Sequence, residues 1–179
     1  VLGTDKKRDL LLRERALNAI DTGIVIVDAL APDLPITYVN EGFTRLTGYD
    51  AEEAIGRNCR FLQAEDRNQP AREEIRKAIA EERRTRVIYR NYRKDGSMFW
   101  NELTLYPVRE NNRVTHFIGI QHDVTDRIEA EETRKSLEEN LFQSRKMEAL
   151  GLLSAGIAHE FNNLLGGVMN YAQLLIDTP

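Results

Sequence analysis

The stretch "GRNCRFLQ", residues 56–63, contains the only cysteine of the 179-residue chain. Cys59 lies between two polar side chains, and an aromatic and an aliphatic residue, Phe61 and Leu62, follow closely. A single cysteine excludes an intramolecular disulfide. Taken alone, such a residue is most often a small buried hydrophobic side chain. The surrounding sequence must therefore decide whether this thiol is structural or chemical.

Short runs of β-branched and aromatic residues flank this stretch and alternate with turn signals such as "KDGS", residues 94–97. Two runs precede a helix-rich segment, and three follow it. This order predicts an α+β domain with a five-stranded antiparallel sheet. The five predicted strands are "GIVIVD" (23–28), "ITYVN" (36–40), "TRVIYRNYR" (85–93), "MFWNELTLYPV" (98–108) and "THFIGIQHDV" (115–124).

Both ends of the chain have helical patterns. Residues 1–20 place Leu10, Leu11, Leu17 and Ile20 among charges, which predicts an amphipathic helix. Residues 126–177 contain no proline and predict a nearly continuous helix. Its mostly apolar seam positions alternate in steps of three and four, which indicates a coiled coil or helix bundle that needs a partner chain. These positions are Met147, Leu150, Ser154, Ile157, Phe161, Leu164, Val168, Tyr171 and Leu175.

The earlier part of that helix follows a different phase. Leu137 and Leu141 lie one residue out of step with the later seam, so the register must shift between residues 141 and 147.

Composition excludes several classes of function. The net charge is −4 and the pI is about 5.5, which gives no electrostatic case for binding nucleic acid. Three scattered histidines have no zinc-ligand spacing, so no metal site is expected. Apolar runs are too short to span a membrane, and no signal peptide is present. We therefore expect a cytoplasmic protein, and the initial valine suggests a fragment of a longer one.

Several separated motifs together resemble a known family. "GRNCRFLQ", "NYRKDGSMFWNEL" and "FIGIQHDVTDR" resemble a LOV domain, the flavin-binding, blue-light branch of the PAS fold. "KMEALGLLSAGIAHEFNNLLGGVMNYAQLL" is similar to the first helix of a histidine-kinase dimerisation and phosphotransfer domain. The resemblance implies four segments: an N-terminal helix (1–20), a LOV domain (21–125), a coiled-coil linker (126–146) and a truncated phosphotransfer helix (147–179).

The LOV resemblance gives Cys59 a chemical role, the formation of a reversible light-driven bond to a flavin. It implies that amides bind the ring edge, that arginines bind the phosphate and that apolar residues form the walls. The short segment "AEDRNQP", residues 64–70, favours FMN over FAD because it leaves little room for an adenine. The implied amides are Asn58, Gln63, Asn91 and Asn101; the arginines are Arg60 and Arg76; the walls are Val25, Leu62, Leu103, Leu105 and Phe117.

The resemblance also implies that Gln121 transmits the signal. In the dark its amide N–H would donate to a flavin nitrogen; when that nitrogen gains a proton, Gln121 must present its amide oxygen instead. Asp123 and Thr125 would couple the last strand to the following helix. Thr125 or Asp126 is also a favourable N-cap by residue type alone.

The kinase resemblance makes His159 the phosphate acceptor, with Glu160 as a general base and Asn163 orienting water for dephosphorylation of a partner. It implies a homodimer through the N- and C-terminal helices and a response regulator receiver domain as partner. ATP would bind only to a catalytic domain that this sequence lacks, so we expect no kinase activity from it alone.

Two other interpretations remain open from the residues. A PAS domain can be a dimerisation device that binds another ligand, and a flavin domain can sense redox state without forming a bond to cysteine. A visible spectrum separates them: only the photosensor has a blue absorption band that bleaches in blue light and recovers in the dark.

Overall fold

The computed structural model describes residues 8–9, 11–12 and 15–176, with the side chains of 148–160, 168 and 170–176 outside the described set. By its contacts the chain divides into two compact units, residues 1–128 and 129–179. In the first unit, residues 8–9, 11–12 and 15–18 are helical, which agrees with the predicted N-terminal helix; Leu10 lies outside the described residues.

The first unit contains a five-stranded antiparallel sheet with the order β2-β1-β5-β4-β3. Helices connect β2 to β3, and a long helix follows β5, so the predicted α+β fold is confirmed. The strands are β1 (Gly23–Asp28), β2 (Ile36–Val39), β3 (Thr85–Tyr92), β4 (Met98–Glu110) and β5 (Arg113–Asp123). The helices are α1 (Glu41–Thr47), α2 (Ala51–Ala54), a 3₁₀ helix (Cys59–Gln63), α3 (Pro70–Ala80) and α4 (Thr125–Ile176).

One face of the sheet carries the hydrophobic core. In β1 every second residue is buried, as expected for a strand with one face packed against helices. Val25, Leu105 and Phe117 from the sheet pack in the same cluster as Phe43 of α1 and Leu62 of the 3₁₀ helix. The helices between β2 and β3 therefore cover this face, and any internal site must lie between them and the sheet.

Asn40 fixes the junction between the N-terminal segment, β1 and α1. Its Nδ2 donates to the carbonyl oxygens of Leu17 and Thr22 at 2.8 and 3.0 Å. Its Oδ1 accepts from the amides of Ile24 and Phe43 at 2.7 and 2.9 Å. Both functions of this buried side chain are thus satisfied, which explains a polar residue at 2% exposure.

The beginning of α4 corrects one expectation. The helix begins at Thr125, and the capping carboxylate is that of Asp123, not a side chain of Thr125 or Asp126. Asp123 Oδ1 accepts from the Thr125 amide at 2.9 Å and from its hydroxyl at 2.5 Å. A carboxylate near the first turn also complements the helix dipole.

The second unit is the remainder of α4. Leu137, Leu141 and Met147 are 58%, 58% and 68% exposed, so both phases of the predicted seam present apolar side chains to solvent. Phe161 and Leu164 are exposed as well. The remaining seam side chains, Leu150, Ser154, Ile157, Val168, Tyr171 and Leu175, lie outside the described set. Pairing with a partner chain stays a prediction.

No helix among the described residues combines the length and the apolar character needed to span a bilayer.

We predict that Gly42→Ala destabilises the first unit by about 1–3 kcal/mol, the usual cost of overpacking. A Cβ at this position would lie 2.2 Å from the carbonyl oxygen of Thr22 and 2.8 Å from that of Ile20, and backbone atoms cannot turn aside as a side chain can. Urea unfolding followed by the fluorescence of Trp100, the only tryptophan, measures the change.

Gly166→Ala is the matched control, because a Cβ there meets open space. Its unfolding midpoint should be no lower than that of the wild type, because alanine favours an exposed helix position over glycine. A Gly42→Ala midpoint as high as the control's would contradict the tight contact between α1 and the segment before β1.

Candidate functional site

A cavity of about 330 Å³ lies between the sheet and the helices that cover it. The 3₁₀ helix and α3 form one side, and strands β1, β3, β4 and β5 form the other. Most of the predicted site residues line it, namely Val25, Asn58, Cys59, Arg60, Leu62, Gln63, Arg76, Leu103, Leu105 and Gln121. Asn91, Asn101 and Phe117 are buried and are not among the residues that line the cavity, and their contact with a cofactor stays a prediction.

Cys59 is the first residue of the 3₁₀ helix, which Asn58 caps by accepting from the Arg60 amide at 2.9 Å. The cysteine is partly accessible at the cavity that it lines. The surrounding protein nevertheless desolvates the thiol and raises its pKa to about 12. Cys59 is therefore predominantly a neutral thiol at physiological pH.

A row of carboxamides crosses three neighbouring strands. Asn101 Nδ2 donates to Asn91 Oδ1 at 2.7 Å and to Gln121 Oε1 at 2.9 Å. Asn91 and Asn101 are completely buried, and Gln121 is 2% exposed. Strand pairing produces the row, because Asn101 lies opposite Tyr89 on β3 and Gln121 lies opposite Leu103 on β4.

Two buried oxygen acceptors near the cavity lack a hydrogen-bond donor among the described residues. They are Asn101 Oδ1 and Gln63 Oε1. A buried acceptor without a partner costs about 1–3 kcal/mol. A ligand that offers N–H donors along this side of the cavity would remove that cost. The geometry thus fits a planar polar ring edge of the kind that the sequence predicts.

Positive charge gathers at another part of the wall, where three arginines, Arg60, Arg72 and Arg76, line the cavity. Arg72 was not predicted. It lies four residues before Arg76 on α3, so both share one helix face, and that spacing was the available signal. Guanidinium groups bind phosphate oxygens well because their planar donors match such anions.

The apolar walls leave little spare room. Gly119 lines the cavity, and a Cβ on it would lie 2.8 Å from Val25 Cγ1 and 3.2 Å from Leu103 Cδ1. The sequence prediction also missed Tyr89, a buried phenol on the wall whose pKa is raised by desolvation. Nothing in its strand pattern distinguishes it from an ordinary core tyrosine.

The strand that carries Gln121 ends in a polar junction two residues later. Asp123 Oδ2 lies 2.6 Å from Arg93 Nη2, while its Oδ1 caps α4. Glu102, whose side chain is 11% exposed, forms two ion pairs. Its Oε2 lies 2.7 Å from Nη2 of Arg86 on β3, and its Oε1 lies 2.9 Å from Nη2 of Arg127 near the beginning of α4. Ion pairs therefore fasten the beginning of α4 to the sheet.

The predicted phosphotransfer residues all lie within α4. The side chains of His159 and Glu160 are outside the described set, and Asn163 is exposed. Their roles stay predictions. Among the described residues, no cluster of three or more potential metal ligands occurs.

The sequence profile of the PAS domain family matches residues 21–126, more than half of the chain. A blue-light photoreceptor from Listeria monocytogenes is 44% identical over 132 residues, covering 73% of this chain and 51% of that protein. A blue-light-activated histidine kinase from Rhizobium johnstonii is 48% identical over 110 residues, covering 60% of this chain and 32% of that protein. The chain thus spans about half or less of the length of these curated relatives.

Solved structures agree with these similarities. That of an RNA-binding light-oxygen-voltage receptor matches with a TM-score of 0.67 at 46% identity, over 72% of this chain and 36% of that one. The LOV domain of a blue-light-activated histidine kinase from Erythrobacter litoralis matches with a TM-score of 0.56 at 37% identity, over 59% and 98% of the respective chains. The chain belongs to the PAS domain family, and within it is a LOV domain with histidine kinases among its relatives.

We predict that the Cys59 thiol of the folded protein, kept in the dark, resists alkylation at pH 9. The thiolate is the reactive form, and a pKa near 12 instead of the ordinary 9.0 lowers its fraction at pH 9 about five hundredfold. Iodoacetamide labelling between pH 7 and about pH 10, quantified by mass spectrometry, measures this.

The urea-unfolded chain provides the control, and since it has one cysteine the label reports a single site. The folded rate should still be rising at the highest pH. A plateau near pH 9 would show an ordinary thiol and contradict its desolvation.

Proposed function

We propose that the chain is the blue-light-sensing part of a sensor histidine kinase. In this proposal it binds FMN in the cavity, and Cys59 bonds reversibly to the flavin after illumination. The observation that carries the proposal is the pair of unpartnered acceptors, Asn101 Oδ1 and Gln63 Oε1, beside a cavity that also contains a neutral thiol. Similarity to blue-light photoreceptors and blue-light-activated histidine kinases supports a flavin photosensor.

The residues have complementary tasks around the cofactor. Asn58, Gln63, Asn91 and Asn101 would bind or orient the polar edge of the ring, because carboxamides both donate and accept. Leu62, Leu103, Leu105 and Val25 would enclose the ring, with Phe117 packed behind. Gly119 leaves the wall free of a side chain at the point where a Cβ would crowd Val25 and Leu103.

The cationic wall supports a cofactor that carries phosphate. Arg60 and Arg76 would bind the phosphate of FMN, and Arg72 adds a third guanidinium to the same wall. FMN is preferred to FAD because "AEDRNQP", residues 64–70, is a short connection without an extra loop for an adenine. The cavity, about 330 Å³, is at the lower end of the usual range for ligand sites.

When bound and excited by blue light, a flavin supplies an electrophilic carbon beside a nitrogen that takes up a proton. The neutral thiol of Cys59 would supply both the proton for the nitrogen and the sulfur for the carbon. Cys59 would give up its S–H proton to the cofactor, and its sulfur would form the new bond to the electrophilic carbon. Desolvation keeps the thiol protonated in the dark, so the proton that the excited cofactor would take up is present on Cys59.

Gln121 would transmit the event. Its Oε1 accepts from Asn101, which leaves its Nε2 as the donor available to the cavity. If the neighbouring cofactor atom changes from acceptor to donor, Gln121 must turn its oxygen toward that atom and give up the bond to Asn101. The change would then travel along β5 to Asp123, Arg93 and the cap of α4.

The output would lie in α4 and beyond. We propose that residues 126–146 pair as a coiled-coil linker and that residues 147–179 begin a dimerisation and phosphotransfer domain. His159 would accept the phosphate, Glu160 would act as its base, and Asn163 would orient water for dephosphorylation. A homodimer, a response regulator receiver domain and an ATP-binding domain supplied by the parent protein complete this proposal.

We predict that Cys59→Ala retains the flavin and loses the reversible bleach in blue light. The thiol contributes little to binding, whereas the new bond requires its sulfur. Absorbance difference spectra after illumination test the bleach. Chromatography of the flavin released by denaturation tests retention and separates FMN from FAD.

The wild-type protein, illuminated identically, is the control. A bleach of equal size and recovery in Cys59→Ala would remove Cys59 from the mechanism. A colourless wild-type protein to which FMN does not bind would overturn the proposed function itself.

A further inference from the structure

The loop between β1 and β2, residues 29–35, reaches the cationic wall of the cavity. Its Asp33 carboxylate makes two contacts with Arg60: Oδ1 lies 2.6 Å from Nη2, and Oδ2 accepts from Nη1 at 2.8 Å. Both side chains are about half exposed. The arginine that would bind a cofactor phosphate is therefore already bound to an anion of the chain itself.

A second contact holds the same loop to the cavity. Asn58, whose oxygen caps the 3₁₀ helix, donates through Nδ2 to the backbone carbonyl of Asp33. The next residue, Leu34, lines the cavity. The contacts of Asp33 thus hold a segment of chain that forms part of the cavity wall.

The loop adopts an unfavourable backbone conformation to reach this position. Asp33 and Leu34 have φ angles of 67° and 52°, in the left-handed region. That region is uncommon for residues other than glycine, and more so for a leucine than for an aspartate. Such strain persists where surrounding contacts offset it. Here those contacts are the ones with Arg60 and Asn58.

We propose that Asp33 is a selectivity residue of the flavin site, competing with the cofactor phosphate for Arg60 and holding the 29–35 loop against the 3₁₀ helix until a phosphate replaces it. This inference rests on the proposed function. It concerns a residue outside the predicted binding set.

Charge explains why the effect is selective. Arg60, Arg72 and Arg76 together carry three positive charges along the wall, and the carboxylate of Asp33 neutralises that of Arg60. The hydrogen bond from Arg60 keeps the pKa of Asp33 below its ordinary range, so the carboxylate is ionised at neutral pH. A flavin that bears a phosphate must compete with this carboxylate. Riboflavin, which has no phosphate, does not.

The test compares FMN with riboflavin on the flavin-free protein and its Asp33→Asn variant, using quenching of flavin fluorescence to measure Kd. The substitution keeps the size of the side chain and removes its charge. We expect FMN to bind about fivefold more tightly to Asp33→Asn, the upper range for an exposed ion pair, with riboflavin unchanged within about twofold.

Asp28→Asn is the matched control. Asp28 immediately precedes the same loop, where its Oδ1 accepts from the amides of Leu30 and Ala31 at 2.7 and 3.2 Å. It loses the same charge and keeps an oxygen acceptor. In Asp28→Asn, the ratio of the Kd for FMN to the Kd for riboflavin should therefore equal that of the wild type. An equal gain in FMN affinity in both variants would reduce the effect to a general change in net charge.

Hydrogen exchange of the flavin-free protein provides a readout that needs no cofactor. Amides of residues 29–35 should exchange faster in Asp33→Asn than in the wild type, since the loop loses its ion pair. Equal exchange would overturn the role of Asp33 in holding this loop.

The binding experiment also separates the two levels of the proposal. If wild type binds both flavins and Asp33→Asn leaves their ratio unchanged, only the role of Asp33 is overturned. If neither flavin binds to the wild type, the proposed function fails and this selectivity fails with it.

Discussion

The row of buried amides formed by Asn91, Asn101 and Gln121 is the constraint on which the site depends. Asn101 donates through Nδ2 to both neighbours in the row, while its Oδ1 has no donor among the residues that the structure describes. The sheet tolerates this arrangement only if something else stabilises it, because an isolated buried acceptor is costly. The strand order β5-β4-β3 makes the row possible, and a slip of one residue in either pairing would turn its members to opposite faces.

The remainder of the unit brings a thiol to the same space. Asn40 fixes α1 against the beginning of β1, and Asn58 caps the 3₁₀ helix that carries Cys59. Polar side chains thus set the positions of the helices, while apolar ones fill the volume between them. A neutral thiol, two unpartnered oxygens and a cationic wall then share one cavity.

Much of this arrangement could be predicted from the sequence because its signals are local. Alternating β-branched runs and turn residues predicted all five strands, and "GRNCRFLQ" with two later motifs predicted the thiol and most of the amides that line the cavity. Contacts between distant segments could not be predicted. Asp33 and Arg60 are 27 positions apart, and each alone is an ordinary surface charge. Arg72 resembled a solvated position on a charged helix, and the capping role of Asp123 required the actual first residue of α4.

The infrared difference spectrum in the S–H stretching region tests the central claim most directly. Cys59 is the only thiol in the chain, so an S–H band belongs to one side chain. With FMN bound, the account predicts an S–H band in the dark that is lost under blue light and returns in the dark. An S–H band that persists unchanged while the visible band bleaches would contradict bond formation at Cys59. A dark state without an S–H band would contradict the neutral thiol.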